Sequence, residues 1–200
     1  MTDEMQTAAS NPPATTGIAD PAPLGLAAFA LTTFLLSAKN AGWTHGTDAW
    51  LGYAFAYGGL VQLLAGMWAF RRGETFVAVA FCSYGGGFWL SYFFLTWFIA
   101  PHLPASAAGN AVGLYLLGWL IFTFYMTIAA LRTNVPVLAV FVTLTETYLL
   151  LVLAKLGINP ADLLPAAGYV GIACGSPPGT SPSPTSPTPP SAASSSPSGR

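Results

Sequence analysis

Few residues of this chain carry groups that could perform covalent chemistry. The two histidines, His45 and His102, fall in short predicted loops, where a solvated side chain is the ordinary interpretation. The two cysteines, Cys82 and Cys174, stand in apolar runs without the spacing of a disulfide framework or a zinc site. The sequence also contains no GxSxG, HExxH or GxxxxGK motif. We therefore predict no enzymatic activity, no metal site and no cofactor.

Glu146 is the acidic residue with the most unusual setting. It falls at the centre of a long apolar run, and an ionised acid at the centre of a membrane span costs roughly 2.5–3.5 kcal/mol on translocon-insertion scales. Such a carboxyl must face a partner or water. Two hypotheses stay open: a protonated group that hydrogen-bonds a neighbouring helix, or a proton-titrating group beside a permeation path.

A second candidate set combines small and polar residues. Gly58, Gln62 and Gly66 are spaced four residues apart, which places them on one face of a helix. That face predicts either close packing against another helix or a pore wall with a neutral amide as donor. Three glycines follow Tyr84, and they predict either a helix crossing or a kink beside a path. The ring of Tyr84 could narrow such a path while its hydroxyl meets a polar group.

The composition is that of a membrane protein. The chain of 200 residues is 54% hydrophobic and 6% charged, about a quarter of the charged share of an average soluble domain. Its net charge of -1 provides no cluster of cations that could hold a nucleic-acid backbone. We predict the lipid bilayer as the surroundings of the protein and exclude nucleic acid as a partner.

Five apolar runs are long enough to cross a bilayer core of roughly 30 Å as helices. A sixth run follows Asn159 and Pro160, but Ser176 and Pro177 end it after about 13 residues, which are too few to span. The expected fold class is an all-α integral membrane protein, a six-helix bundle with a truncated sixth helix. The predicted helices cover residues 24–40, 49–70, 75–100, 110–131, 135–156 and, in part, 162–175.

The two ends of the chain differ from this transmembrane domain, which we assign to residues 23–175. Residues 1–22 begin acidic, lack the pattern of a cleavable signal peptide and are predicted to form a disordered arm. Residues 176–200 consist almost entirely of Ser, Pro, Thr, Gly and Ala, and are predicted to form a disordered tail. The abrupt change of composition fits a linker or a change of reading frame equally well.

The distribution of cations predicts the orientation in the membrane. Arg71, Arg72 and Arg132 lie on the same side as the N-terminus, whereas Lys39 and Lys155 lie on the opposite side. Cytoplasmic loops of membrane proteins carry the excess of Lys and Arg. The bias therefore favours a cytoplasmic N-terminus in a multi-pass protein of the plasma membrane.

Four segments follow one another in an order that resembles a known family. The first helix begins with DPAPLGL, in which Asp20 stands where the family signature NPAPLGL has Asn and Pro21 is kept. The second helix has YGG with Gln62 and Gly66, the third has TF followed by SYG and FWL, and the fourth has FT. Together they resemble the acetate uptake transporter family, also called the GPR1/FUN34/YaaH family or the succinate–acetate permeases.

The resemblance implies a six-helix transporter bundle whose sixth transmembrane helix is truncated, in a ring of protomers thought to be a hexamer. It also implies an hourglass path through each protomer for acetate and related short carboxylates, narrowed by an apolar gate of Phe29, Tyr84 and Leu144. Such a gate passes a small carboxylate or its neutral acid more easily than hydrated inorganic ions. Further candidates along the path are Asp20, Pro21, Gly58, Gln62, Gly66 and Glu146.

The sequence departs from the family pattern at four places. The family has an acid where Ala69 stands and Asn where Glu74 stands. The run Gly85-Gly86-Gly87 is one residue longer than the commoner spacing, and Glu146 replaces an apolar residue or Thr close to Leu144. The sixth helix of the family continues to an FGRTVLP-like end, which this sequence does not show.

The function that the resemblance implies is transport of acetate first and succinate second, by a proton-coupled symporter or a channel. A carboxylic acid with a pKa of about 4 is ionised at neutral pH, so uptake needs either a proton carried with the anion or an anion path. Two alternatives are a non-transporting membrane sensor or binding protein, and a product made inactive by the truncated sixth helix.

Overall fold

The computed structural model describes residues 17–45 and 48–176. Most of the predicted N-terminal arm, and the predicted tail beyond Ser176, lie outside the described residues. The described part of the chain forms a bundle of six helices. They are α1 (Ala22–Asn40), α2 (Ala49–Arg72), α3 (Thr75–His102), α4 (Ala105–Ala130), α5 (Val135–Lys155) and α6 (Pro160–Gly175).

The bundle is all-α, as the apolar runs predicted. Within the described residues, five helices, α1 to α5, are long and apolar enough to cross a membrane. The sixth, α6, has 16 residues and extends about 24 Å at a rise of about 1.5 Å per residue, against a bilayer core of roughly 30 Å. The described part of α6 is therefore shorter than a complete span.

The fourth helix begins earlier than its hydropathy predicted. It starts at Ala105 rather than near residue 110, directly after Pro104, whose backbone is extended with φ -53° and ψ 144°. The first turns consist of alanine, serine and glycine, which add little hydropathy, although alanine has the highest helix propensity. A hydropathy scan locates only the apolar part of such a helix, and the proline fixes where the helix itself begins.

The six helices follow one another around a ring. Helix α1 packs against α2 and α6, helix α5 packs against α4 and α6, and α2 packs against α3. Aromatic contacts join α3 to α4, among them Phe88 with Tyr115, whose ring centroids lie 5.9 Å apart. Because the connections are short, consecutive helices run antiparallel. Helices α1, α3 and α5 therefore run in one direction, and they line the centre of the ring.

Helices α2 and α3 cross at two π-helical turns. These turns cover Ala56–Val61 in α2 and Ser83–Trp89 in α3. A Cβ added to Gly85 would lie 2.5 Å from Leu63 N and 2.9 Å from Gly59 O, so the two backbones touch at their glycines. A π turn holds one residue more than an α turn, and the π turn of α3 contains all three glycines. Gly85 and Gly86 thus lie at a helix crossing with α2, whereas Gly87 faces Trp119 of α4.

The turn between α2 and α3 is held by an ion pair. Arg72 Nε donates to Glu74 Oε1 at 2.7 Å, and Arg72 Nη1 donates to Ile18 O at 2.5 Å. Gly73, between the two charged residues, has a φ of 77°, in the left-handed region that glycine adopts without a steric penalty. Glu74, where the resemblance implied Asn, therefore pairs with the arginine of its own turn.

Candidate functional site

A small buried cavity lies at the centre of the ring. Its volume is about 30 Å³, which is room for on the order of two water molecules. The three gate candidates, Phe29, Tyr84 and Leu144, all line it, and they are only 7%, 3% and 5% exposed. The other lining residues are Thr33, Leu36, Ser37 and Asn40 of α1, Phe88 and Trp89 of α3, and Thr147, Tyr148 and Leu151 of α5.

The gate candidates lie at one end of this cavity. On each of the three helices, the other lining residues follow the gate candidate in sequence, and the three helices run in the same direction. The cavity therefore extends from the gate toward the end of the bundle where α1 and α5 finish, at Asn40 and Lys155. We call this the lysine end, because Lys39 and Lys155 both lie there.

Tyr84 is held in place by a cluster of aromatic rings. Its ring centroid lies 6.3 Å from that of Phe29 across the cavity. The rings of Trp119, Phe122 and Phe141 have centroids 5.8, 5.4 and 6.2 Å away from it, distances at which aromatic pairs attract each other. Packing on several sides restrains the rotamer of Tyr84, so its ring has a defined position at the cavity wall.

The Tyr84 hydroxyl is bonded to α4. Its oxygen lies 2.8 Å from Thr123 Oγ1, and Thr123 is fully buried. Burial of both groups makes this hydrogen bond costly to break, because neither group can turn to water instead. The ring of Tyr84 lines the cavity while its hydroxyl anchors α3 to α4, so this residue presents an apolar surface to the cavity.

The hydrogen bond predicts a coupled effect on stability. Replacing Tyr84 with phenylalanine is expected to destabilise the protein by about 1–2 kcal/mol, because Thr123 then loses its partner in a buried site. Thr123→Val should cost a similar amount, and the double variant should cost little more than either single one. Thermal unfolding in detergent measures all three, with Tyr125→Phe on the exposed face of α4 as the control. Additive losses would show that the two groups are not coupled.

The lysine end carries a charged pair. Lys39 Nζ donates to Asp48 Oδ1 and lies 5.4 Å from the centre of the Trp50 ring. The Lys39 ammonium beside Asp48 holds the pKa of that carboxyl below its ordinary value, by hydrogen bonding and by charge, against a smaller opposing effect of burial. Asp48 is therefore ionised at neutral pH, and it pairs with the charge of Lys39 at the lysine end.

The glycine and glutamine candidates of α2 lie outside the cavity. A Cβ on Gly58 would be 2.7 Å from Thr32 Oγ1 of α1, whereas one on Gly66 would be 2.6 Å from Cys82 Sγ of α3. The π turn in α2 breaks the four-residue spacing, so these two glycines approach different neighbours. Gln62, between them, is 1% exposed, and its Oε1 has no hydrogen-bond partner among the described residues. The described contacts of the two glycines are those of close helix packing.

The remaining path candidates also lie away from the cavity. Glu146 is exposed on the face of α5 that carries Val142 and Leu149. Asp20 accepts a hydrogen bond from Ala22 N at 2.9 Å at the start of α1, and Pro21 is buried there. The carboxyl of Asp20 thus occupies one of the backbone donors that the first turn of a helix leaves unpaired.

Polar residues on the cavity side of α1 were missed by sequence reasoning. Thr33, Ser37 and Asn40 line the cavity from the gate toward the lysine end. The signal was present, because these residues lie four, eight and eleven positions after Phe29 and therefore on its face of the helix. On α3, Trp89 was missed for a different reason. A π turn separates it from Tyr84, and α-helical spacing places the two residues on different faces.

The described bundle matches one family over its whole length. A sequence model of the GPR1/FUN34/yaaH family covers residues 2–177. The chain belongs to this family. The match includes all six helices, so the resemblance that the sequence motifs indicated is confirmed.

Two curated relatives show how far the family likeness extends. Acetate permease A of Emericella nidulans is 45% identical over 145 residues, which are 66% of this chain and 48% of that protein. The succinate-acetate/proton symporter SatP of Escherichia coli strain K12 is 36% identical over 162 residues, 80% of this chain and 84% of that protein. The matched region spans about half the length of three fungal relatives, among them acetate permease A.

A solved structure in the family has the same fold. The bacterial acetate channel SatP superposes with a TM-score of 0.72 at 34% sequence identity, over 78% of this chain and 86% of that one. The expected fold class, an all-α membrane bundle of the transporter type, is therefore confirmed.

Proposed function

We propose that the protein conducts acetate and related short carboxylates, including succinate, across a membrane. The observation that carries the proposal is the placement of Phe29, Tyr84 and Leu144 from three helices around one buried cavity. The relatives named for acetate and succinate transport supply the substrate class. A narrow apolar point inside a ring of helices suits a channel or a carrier.

The physics of the gate favours small organic acids over inorganic ions. The gate presents two aromatic rings and a leucine side chain to the cavity, and a hydrophobic constriction of this kind resists filling by water. A hydrated inorganic ion must lose its water shell to pass, without a compensating ligand. An acetate ion has an apolar methyl group, and acetic acid, its neutral form, has no charge to desolvate. Both therefore lose less hydration free energy at the gate than an inorganic ion does.

The proposal includes proton coupling. A carboxylic acid with a pKa of about 4 is almost wholly ionised at neutral pH, so uptake of the neutral acid carries one proton with each molecule. The described residues that line the cavity include no Asp, Glu or His. This lining supports a path on which the substrate itself holds the proton.

The proposal also covers the assembly and the orientation. We propose a homo-oligomeric ring, a hexamer by family resemblance, in the plasma membrane with a cytoplasmic N-terminus. The exposed Glu146, near the middle of α5, supports an assembly because lipid is an unfavourable neighbour for an acid at that depth. Native mass spectrometry of the detergent-solubilised protein measures the number of subunits.

Uptake of radiolabelled acetate into proteoliposomes tests the proposed function. We expect uptake that saturates, that unlabelled succinate inhibits, and that chloride does not. Leu144→Phe should reduce the rate by about ten-fold or more, because one added aromatic ring fills a gate with little free volume. The matched control is Leu114→Phe on the exposed face of α4, which should leave the rate unchanged.

Two outcomes would contradict the proposal. Folded wild-type protein without acetate flux above that of empty liposomes would exclude transport. Equal inhibition by Leu144→Phe and Leu114→Phe would show that flux does not pass the described cavity.

A further inference from the structure

Glu146 differs from the other described acids in its place along a helix. The others lie just before a helix or in its first turn, where the partial positive charge of the helix N-terminus stabilises a carboxylate. They are Asp20, Asp48, Glu74 and Asp162. Glu146 lies near the middle of α5 on its exposed face, and neither ion pair in the described part of the chain includes it. An acid at that depth needs a polar partner.

A groove on the outer surface of the bundle runs between α1 and α2. Its volume is about 570 Å³. One leucine, three small residues and two tyrosines line it, namely Leu31 of α1 and Ala49, Gly52, Tyr53, Ala56 and Tyr57 of α2. The small residues are three and four positions apart, so they form a trough along one face of α2. Unlike the hydroxyls of Tyr84 and Tyr115, that of Tyr57 has no hydrogen-bond partner among the described residues.

The groove and Glu146 lie at the same depth in the membrane. Phe29 of α1 and Leu144 of α5 both lie at the gate end of the cavity, and the two helices run in the same direction. Leu31 follows Phe29 by two positions, and Glu146 follows Leu144 by two positions, which is about 3 Å along each helix axis. Leu31 and Glu146 are both exposed on the outside of the bundle, so they are level with each other.

Tyr57 is the hydrogen-bond donor nearest to that level. Gly58 of α2 packs against Thr32 of α1, so their neighbours Tyr57 and Leu31 differ in depth by about 3 Å. Tyr53 lies about 6 Å further toward the lysine end. A tyrosine side chain is long enough to cover the smaller of these differences, and its hydroxyl can donate to a carboxyl oxygen.

We infer that Glu146 of one copy of this chain docks into the α1–α2 groove of the next copy, where the Tyr57 hydroxyl donates a hydrogen bond to its carboxyl group. The contact rests on the proposed homo-oligomeric assembly and names its interface. Rotation about an axis along the membrane normal leaves the depth of every residue unchanged, so surfaces that meet in a ring must be level. The groove and the outer face of α5 lie on different sides of the bundle, which is the head-to-tail arrangement that closes a ring.

The contact satisfies both surfaces. The carboxyl group of Glu146 leaves the lipid and gains a donor, while the hydroxyl of Tyr57 gains an acceptor. The small residues of the groove allow the neighbouring helix to approach closely, as small residues do at helix contacts in membranes. Val142 and Leu149, one turn to either side of Glu146, are exposed and supply apolar surface to the same contact.

Two substitutions that lipid would tolerate are expected to weaken the assembly. Glu146→Leu and Tyr57→Phe should each raise the protein concentration of half-dissociation in detergent by about ten-fold, because each removes one side of the hydrogen bond. The double variant should dissociate no more readily than either single one. Glu146→Gln keeps an oxygen acceptor and should assemble like the wild type. Native mass spectrometry over a dilution series measures all four variants.

Gly52→Leu tests the groove itself. A Cβ at Gly52 would have no described neighbour within 4 Å, so leucine fills the groove without a clash inside its own subunit. We expect the concentration of half-dissociation to rise about ten-fold or more, with the unfolding temperature of the subunit unchanged. Gly118→Leu is the matched control, because Gly118 of α4 is also exposed without a described neighbour within 4 Å. This variant should assemble normally.

Cysteine cross-linking in native membranes separates the contact from transport. Oxidation of the variant Glu146→Cys/Ala56→Cys should give a ladder of covalent oligomers beyond the dimer, because each copy carries both halves of the contact. Leu114→Cys/Ala56→Cys, with one cysteine on the exposed face of α4, should give no ladder. A ladder from protein without acetate flux would support the contact and contradict transport. Flux from protein without a ladder would overturn the contact and leave transport standing.

Three further outcomes would overturn the contact. Assembly that Glu146→Leu leaves unchanged or strengthens would show that Glu146 faces lipid. A ladder that stops at the dimer would contradict the head-to-tail arrangement. Equal weakening by Gly52→Leu and Gly118→Leu would show that the groove has no special part in the assembly.

Discussion

Replacing Leu144 with alanine is expected to raise butyrate flux about ten-fold relative to acetate flux. The smaller side chain widens the gate, so that the longer butyrate can pass it. Leu144 is 5% exposed and lines a cavity of only about 30 Å³. In a site this small, the wall selects by size, and one methylene group more or less changes selectivity by about ten-fold or more. Competing uptake of the two labelled acids into the same proteoliposomes measures the ratio directly.

The Leu144→Ala comparison needs a control for stability. Truncating a buried leucine costs about 2–5 kcal/mol, so flux must be normalised to the folded fraction measured by size-exclusion chromatography. Leu149→Ala makes the same chemical change on the exposed face of α5, and it should leave the ratio of the two fluxes unchanged. A ratio that does not move in Leu144→Ala, or that moves equally in Leu149→Ala, would remove Leu144 from the gate.

The helices could be predicted from the sequence because the thickness of the bilayer constrains them. A span needs about 20 apolar residues, and runs of that length are visible without any structural information. The start of α4 was not visible, because the small residues after Ala105 have helix propensity but little hydropathy. Hydropathy thus locates the part of a helix that crosses the lipid core, whereas the helix ends depend on local backbone geometry.

The faces of α2 and α3 could not be predicted from spacing. Spacing rules assume a constant α-helical period, but π turns cover Ala56–Val61 and Ser83–Trp89. A π turn brings residue i+5 closer to the face of residue i than an α-helix does, and Trp89 lines the same cavity as Tyr84. Three consecutive glycines indicated a disturbed helix, but its geometry depends on the contact with α2.

Residue types alone also did not determine which side of a helix faces the cavity at two places. Thr32 and Thr33 are adjacent and chemically identical, yet Thr32 bonds to Ala28 and only Thr33 lines the cavity. Glu146 lies two residues from Leu144, and the structure places it on the outer face of α5. In both cases a rotation of about 100° per residue separates two very different surroundings, and only the packed bundle fixes it.

Replacing Gly168 with alanine is expected to destabilise the protein by about 2 kcal/mol or more, because the added methyl group meets backbone. A Cβ at this position would lie 2.7 Å from both Ala41 Cα and Ser37 O, and it would also overlap Ala41 N. Overpacking costs about 1–3 kcal/mol even where flexible side chains can move aside. Here the obstacle is the end of α1, so α6 must shift as a whole.

The same change should also reduce transport. Ser37 of α1 lines the cavity, and it is also the residue that Gly168 and Gly171 of α6 approach closely. A displaced α6 removes support from the wall that carries Thr33 and Ser37, so we expect acetate flux to fall together with the unfolding temperature. Unfolding in detergent and uptake into proteoliposomes measure the two effects on one preparation.

Gly118→Ala provides the matched control for Gly168→Ala. Gly118 lies on the exposed face of α4, and a Cβ there would have no described neighbour within 4 Å. Alanine is favoured over glycine inside a helix by about 0.5–1 kcal/mol, so this variant should be as stable as the wild type or slightly more stable. If the stability falls in Gly168→Ala and stays or rises in Gly118→Ala, the contact with α1, rather than the flexibility of glycine, determines the result. If Gly168→Ala is also neutral, α6 does not hold α1 in place, and the path depends on the other five helices alone.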